Sequence, residues 1–112
     1  MTRGEIWWVD FGLAFGSMTL GRRPAVIVQN DNFNVSKIAT IIVIPLTTNT
    51  LLAEYKDNIL LTKKVSKLPK DSVVLTSQVG AVDKECLVEK VSKLSSLTML
   101  EISRALQDML SI

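Results

Sequence analysis

Short apolar runs separated by turn signals make up most of the chain before residue 94. Runs rich in β-branched and aromatic residues predict strands at residues 5–11, 24–29, 38–46, 58–62, 72–76, 78–82 and 87–93. Pro24 opens the second of these strands, a position where proline is tolerated. The third, IATIIVIPL, is almost wholly apolar, which predicts that both of its faces are covered.

The segments between these runs are rich in turn residues. Residues 12–23 contain Gly12, Gly16 and Gly21 and predict a long loop, a kind that is uncommon in compact domains and tends to be functional. Residues 30–36 and 83–85 predict turns. The stretch from 63 to 70 predicts an exposed turn, because it carries Pro69 and four lysines (Lys63, Lys64, Lys67 and Lys70).

One helix follows the strands. Ser95 and Ser96 offer an N-cap, and Thr98 with Glu101 could form a capping box one turn later. Apolar residues then recur at steps of three and four, which predicts an amphipathic helix packed on the sheet (Met99, Ile102, Ala105, Leu106, Met109 and Leu110). Many short strands followed by one helix indicate a mainly β fold, a small barrel of SH3-like or OB-like type.

Length and composition limit the classes of protein. The 112 residues fit one domain, expected to span residues 1–112, and the net charge of +2 by itself hardly favours a nucleic-acid partner. No apolar signal segment opens the chain, and no apolar run approaches the roughly 20 residues that span a bilayer, which predicts a cytoplasmic protein. Cys86 cannot form an internal disulfide and is interpreted as structural.

The chain contains no histidine, which restricts its possible chemistry. Ser-His-Asp and Cys-His catalysis are excluded, as are two-histidine nucleases and the usual zinc sites. Catalysis would have to use arginine, lysine, carboxylate, hydroxyl or backbone groups. We expect neither a metal nor a cofactor.

Residues 16–31, GSMTLGRRPAVIVQND, form the most informative stretch. Glycines, two adjacent arginines and a proline that opens an apolar strand place Arg22 and Arg23 at the rim of a sheet. The guanidinium group binds phosphate oxygens in a bidentate manner and stays charged. The alternative is that both arginines are ordinary surface residues beside a turn.

Five segments in order resemble the MazF/PemK toxin family. They are RGEIWWVDF at residues 3–11, GS at 16–17, G-x-RPAVIVQND at 21–31, IVIPLTTN at 42–49 and DSVVLTSQVGAVDKECL at 71–87. Each motif alone is modest, but together they cover nearly the whole chain. The terminal helix fits as well.

The resemblance implies an SH3-like barrel that works as a homodimer and is bound by a cognate antitoxin protein. It also implies a type II toxin that cuts single-stranded RNA at short sequence motifs. Attack by the ribose 2′-OH would leave a 2′,3′-cyclic phosphate and a 5′-OH. This chemistry suits the composition, because the nucleophile belongs to the substrate and the protein aligns groups and stabilises charge.

By the same resemblance, Arg23 and Thr47 are the catalytic residues. Arg23 would clamp the scissile phosphate and Thr47 would position it, since a threonine hydroxyl is a poor general base. The alternative for Thr47 is a strand-end hydroxyl that caps a turn. We expect further RNA-binding residues along the same motifs (Gly16, Ser17, Thr19, Arg22, Thr48 and Gln78).

The chain departs from the family pattern at three positions. Met18 stands where several members have an acidic residue, Ser77 replaces the acidic residue that often precedes the glutamine, and Gly80 replaces a basic one. The general base therefore stays open, with Asp10, Asp31 and Thr19 as candidates.

Other interpretations remain at this point. Trp7 and Trp8 face opposite sides of one strand, so one belongs to the core, and the other packs against a partner subunit or stacks on a base. The chain could also be a toxin of the same fold that binds a protein, as gyrase poisons of the CcdB kind do. A third possibility is an SH3-like module that binds RNA or a peptide without cutting.

Overall fold

The computed structural model describes residues 1–12 and 21–112. In these residues seven strands form one antiparallel sheet in the order β4-β5-β3-β2-β1-β7, with β6 paired to β3. The strands are β1 (Glu5–Asp10), β2 (Arg22–Ile27), β3 (Thr40–Thr47), β4 (Ile59–Leu61), β5 (Ser72–Val74), β6 (Gly80–Asp83) and β7 (Leu87–Lys93). β3 changes partner along its length, because β6 pairs with its first half and β5 with its last two residues. The sheet curls into a half-barrel as a result.

In the part of the chain that the structure describes, three helices accompany the sheet: α1 (Asp31–Asn34), α2 (Lys63–Ser66) and α3 (Ser96–Leu110). The 3-10 turns lie at Thr50–Glu54, Thr76–Gln78 and Lys84–Cys86. The Ser95 hydroxyl accepts a hydrogen bond from the Thr98 backbone N–H at 3.2 Å, so the predicted N-cap of α3 is confirmed. None of the described helices is long and apolar enough to cross a membrane.

The core consists of two clusters, one on each face of the sheet. The first packs the sheet against α3, and its members include Ile6, Val26, Ile44, Leu46, Val74, Met99 and Ile102. The second lies on the other face and consists of Val9, Ala25, Ile27, Ile41, Val43 and Leu87. Side chains alternate between faces along a strand, and accordingly Trp7 packs on the second cluster and Trp8 on the first.

The predicted mainly β fold with a C-terminal helix is confirmed, whereas the start of the second strand is wrong. Arg22 and Arg23 belong to β2 and not to the loop, so Pro24 is the third residue of the strand. The reason is pairing: Arg22 lies opposite Asp10 and Pro24 opposite Trp8. The ladder between β2 and β3 begins only at Ala25, so the missing N–H of proline breaks no pair on that side.

Several other boundaries shift. The strand predicted at 38–46 begins at Thr40, and Ile42 is 41% exposed, so its two faces are not covered throughout. The strands predicted at 58–62 and 72–76 shorten to β4 and β5, and the one at 78–82 moves to Gly80–Asp83. The lysine-rich turn contains α2, and the turn at 30–36 contains α1, because the Asn30 side chain caps the Asn32 N–H at 2.8 Å.

The last helix differs from its prediction in two respects. Thr98 lies inside the first turn of α3, so the capping box with Glu101 is wrong and Ser95 is the cap. Met99, Ile102 and Ala105 are buried as predicted. Met109 and Leu110 are 37% and 50% exposed, so the apolar positions in the last turn of the helix are only partly covered.

Glu5 is a buried carboxylate, only 6% exposed, that anchors β1 to its neighbours. Its oxygens accept hydrogen bonds from Trp7 Nε1 at 2.9 Å and from the Thr2 backbone and hydroxyl at 3.0 and 2.9 Å. Lys90 Nζ of β7 lies 3.2 Å away. Burial alone would raise the pKa of Glu5, but these donors outweigh it and lower the pKa to about 2.

We expect Glu5→Gln to lower the free energy of unfolding by about 1–3 kcal/mol at pH 7, because the amide keeps only one acceptor oxygen and turns its NH2 group toward donors that the carboxylate had paired. The folded pKa of about 2 lies below the usual 4.5, so this contribution is complete above pH 4.5 and disappears as the pH falls toward 2. Denaturant unfolding at pH 7 and pH 3 measures it, with exposed Glu89→Gln as the control. An equal difference in the free energy of unfolding between Glu5→Gln and the unaltered protein at both pH values would contradict this account.

Candidate active site

Two backbone hydrogen bonds hold residues 11 and 12 against Gly21, directly before the arginine pair. The Phe11 N–H donates to the Gly21 carbonyl and the Gly21 N–H to the Gly12 carbonyl, each at 2.9 Å. Both glycines have positive φ, 72° at Gly12 and 59° at Gly21, a conformation in which glycine is the least strained residue. Strands β1 and β2 therefore remain paired out to Asp10 and Arg22.

The strand register sets Arg23 beside Thr47. Ala25 lies opposite Pro45 at the end of the β2–β3 ladder, and the same register carried two residues further faces Arg23 with Thr47. A step of two residues keeps the same face of a sheet, so both side chains continue the row of the second core cluster. Thr47 is itself fixed by β5, where it pairs with Val73. The two predicted catalytic residues thus lie at the same end of neighbouring strands.

The Thr47 hydroxyl also has a local role. Its oxygen accepts a hydrogen bond from the Asn49 backbone N–H at 3.2 Å, so the hydroxyl does cap the turn after β3. A hydroxyl that accepts in this way still has its own O–H to donate. Turn capping and contact with a phosphate oxygen are therefore compatible.

A cavity of about 500 Å³ opens beside the arginines, and we call it the Arg23 cavity. Its walls come from β1, β2, β3, β5 and the segment that follows α2. The lining residues are Trp8, Gly21, Arg22, Arg23, Pro24, Leu46, Thr48, Leu68, Pro69, Lys70 and Ser72. Tryptophan, proline and leucine residues thus line it together with three basic residues. Thr47 is not part of the lining. Trp8 and Leu46 belong to the face of the first core cluster, opposite the face to which the register directs Arg23 and Thr47.

The charge of this cavity is one-sided. Among the described residues no carboxylate lines it, and no group of three His, Cys, Asp or Glu residues could hold a metal ion. Asp10 uses Oδ1 to accept the Gly12 N–H at 2.9 Å. Asp31 lies in a different cavity, where the Arg3 backbone N–H and the Asn34 side chain lower its pKa, so it is a weak base.

The other predicted RNA-binding residues fall into three groups. Arg22 and Thr48 line the Arg23 cavity with Arg23. Gln78 is exposed in a 3-10 turn and is not part of that lining. The predictions at Gly16, Ser17 and Thr19, and the departure at Met18, lie outside the described residues.

Sequence reasoning missed part of the lining. Lys70 and Ser72 were not predicted as site residues, since they lie far from Arg23 along the chain, and Trp8 was considered only as one of two tryptophans that could stack on a base. Lys70 was assigned only to an exposed turn. The available signal was its position directly before the DSVV segment that resembles the family.

Comparison with known protein families gives a match over almost the whole chain. The family described as PemK-like, MazF-like toxin of type II toxin-antitoxin system matches residues 2–110. The chain belongs to this toxin family. The family resemblance of the sequence is thereby confirmed, and the CcdB-like interpretation is not favoured.

Individual relatives extend the comparison. This toxin is 35% identical over 112 residues to the endoribonuclease MazF6 of Mycobacterium tuberculosis, covering 100% of this chain and 98% of that protein. The fold is similar to a crystal structure of MazF from Deinococcus radiodurans, with a TM-score of 0.83 at 19% identity over 100% and 97% of the chains. A mycobacterial endoribonuclease in complex with its cognate antitoxin gives 0.76 at 21% identity, over 100% and 94%.

Proposed function

We propose that this toxin, acting as one domain, is a sequence-specific endoribonuclease that cuts single-stranded RNA, mRNA in the cell. The observation that carries the proposal is the β2–β3 register, which, extended two residues beyond Ala25 and Pro45, sets Arg23 across from Thr47 on one face of the sheet. A guanidinium group and a hydroxyl both donate hydrogen bonds to phosphate oxygens. The relative named endoribonuclease, at 35% identity, supports the same activity.

The reaction needs no nucleophile from the protein. The 2′-oxygen of the ribose attacks the neighbouring phosphorus while the bond from phosphorus to the 5′-oxygen breaks. The products are a 2′,3′-cyclic phosphate and a 5′-OH, one proton having left the 2′-OH and one having reached the 5′-oxygen. Alignment and charge stabilisation are the protein's contributions.

Arg23 stabilises the phosphorane. Its guanidinium group donates two parallel hydrogen bonds to non-bridging phosphate oxygens, a geometry that a point charge does not supply. The β1–β2 ladder holds its backbone opposite Val9, so the group is placed before the substrate arrives. Such preorganised charge is the largest common source of rate enhancement.

Thr47 orients the same phosphate through its hydroxyl. Its oxygen accepts the Asn49 N–H, and its O–H can still donate to a ligand. It therefore binds a phosphate oxygen and does not take the 2′-OH proton. That proton passes to solvent water.

We expect Arg23→Lys to reduce cleavage at least about tenfold, since lysine keeps the charge and loses the fork. Arg23→Ala should reduce it by about 10²–10⁴-fold. The measurement is single-turnover cleavage of single-stranded RNA in excess EDTA, because no step of the proposal uses a metal. Exposed Arg104→Ala on α3 controls for loss of a positive charge. Near-normal cleavage by Arg23→Ala, or activity that requires added magnesium, would refute the proposed mechanism.

The partners follow from the family. We infer a homodimer in an isologous contact, located in the cytoplasm and held inactive by a cognate antitoxin that covers the RNA-binding surface. The fold neighbour named as an antitoxin complex supports this inference.

Light scattering at micromolar concentration should give the mass of two chains, and the cognate antitoxin should stop RNA cleavage in proportion to its amount. A monomer that cuts RNA at full rate would contradict the dimer. Unchanged cleavage at saturating antitoxin would contradict a shared surface.

A further inference from the structure

A groove opens on the face of the sheet that carries the first core cluster. It consists of two adjoining depressions, the Arg23 cavity and a second one of about 280 Å³ that we call the Lys63 cavity. Thr48, Pro69 and Lys70 line both, so Lys70 lies at the point where they meet. The remaining lining of the Lys63 cavity is Thr50, Lys63 and Asp71.

The groove lies apart from the catalytic pair. Trp8, Leu46 and Leu68 line it and belong to the first core cluster or pack against it. The register directs the Arg23 and Thr47 side chains to the other face of the sheet, and Thr47 is part of neither lining. The proposed cleavage therefore leaves this groove without a role.

The second part of the groove has a net positive charge. Lys63 and Lys70 are exposed, and in the part of the chain that the structure describes neither forms an ion pair with a carboxylate. Asp71 uses Oδ1 to accept the Lys63 backbone N–H at 2.8 Å, which fixes the start of α2 beside the groove. Thr48 and Thr50 add two hydroxyl groups. Ammonium and hydroxyl groups donate hydrogen bonds, so this part suits carboxylate oxygens.

The first part of the groove is largely apolar. Its apolar lining residues are Trp8, Pro24, Leu46, Leu68 and Pro69. Four of these residues have no aromatic ring, whereas single-stranded nucleic acids bind mainly by stacking their bases on aromatic rings. Aliphatic side chains of a protein segment therefore match this lining better than bases do.

We propose that this groove is a docking site for an extended protein segment in which apolar residues adjoin acidic ones. The apolar side chains occupy the part around Trp8, and the carboxylates pair with Lys70 and Lys63. The inference rests on the proposed function, because it assigns the segment to the cognate antitoxin. Arg22 and Arg23 both line the groove at the start of β2, and neighbouring residues of a strand serve opposite faces. A segment held here is thus at the edge of the catalytic face.

A labelled peptide of leucines flanked by glutamates is the probe. Fluorescence anisotropy should show binding that weakens as salt is added. Lys63→Glu and Lys70→Glu should each weaken it at least about tenfold, because each replaces an attraction by a repulsion. Lys63→Arg should keep the affinity, and Lys37→Glu, in the exposed turn before β3, should not change it. A peptide with serine in place of leucine should bind at least about tenfold more weakly.

Cleavage assays with the antitoxin give a second readout. The Lys63→Glu toxin should cut single-stranded RNA at the unaltered rate, because Lys63 lies away from the catalytic face. It should need at least about tenfold more cognate antitoxin than the unaltered toxin for half-inhibition. Equal sensitivity of the two toxins to the antitoxin would overturn the inference.

Two further outcomes would also overturn it. One is equal affinity of the Lys63→Glu, Lys70→Glu and unaltered toxins for the leucine–glutamate peptide. The other is a loss of RNA affinity in Lys63→Glu as large as its loss of peptide affinity, because the groove would then serve RNA. Cleavage that survives Arg23→Ala would instead overturn the proposed function, and peptide binding, measured without RNA, does not depend on that result.

Discussion

The pairing of β2 with both β1 and β3 is the constraint on which the site depends. The β1–β2 ladder extends to Arg22, whereas the β2–β3 ladder ends at Ala25. The first residues of β2 are thus held along one edge and open along the other. Two arginines are fixed at this place without the entropic cost of ordering a loop when a ligand binds. The β2–β3 ladder also aligns β3, so the register that sets the position of Arg23 sets that of Thr47 as well.

Local pattern predicted the elements whose signals are local. The bounds of β7 and the capped helix α3 agree with the sequence, because alternation and helical periodicity are properties of neighbouring residues. Arg22 and Arg23 were assigned to a loop because glycines precede them and a proline follows. What makes them a strand is their pairing with β1, which local propensity does not register.

The site residues show the same difference between local signals and long-range placement. Arg23 and Thr47 came from the family motifs, and the register agrees with their being neighbours. Lys70 and Lys63 were interpreted as solvated charges, since their place beside Arg22 and Thr48 depends on how the chain returns between β4 and β5. Composition limited the chemistry of the site and not its position: a chain without histidine has to rely on positioning and charge.

The central claim is that the substrate supplies the nucleophile and the protein holds it in line. The most direct measurement uses an RNA that contains the cleavage motif with one 2′-deoxynucleotide immediately 5′ of the cut. The account predicts that this substrate binds with nearly the affinity of the all-ribose strand and is not cut there, while the all-ribose strand yields 5′-OH ends. Cleavage of the deoxy-substituted strand at a comparable rate would contradict it, because a protein group or water would then be the nucleophile.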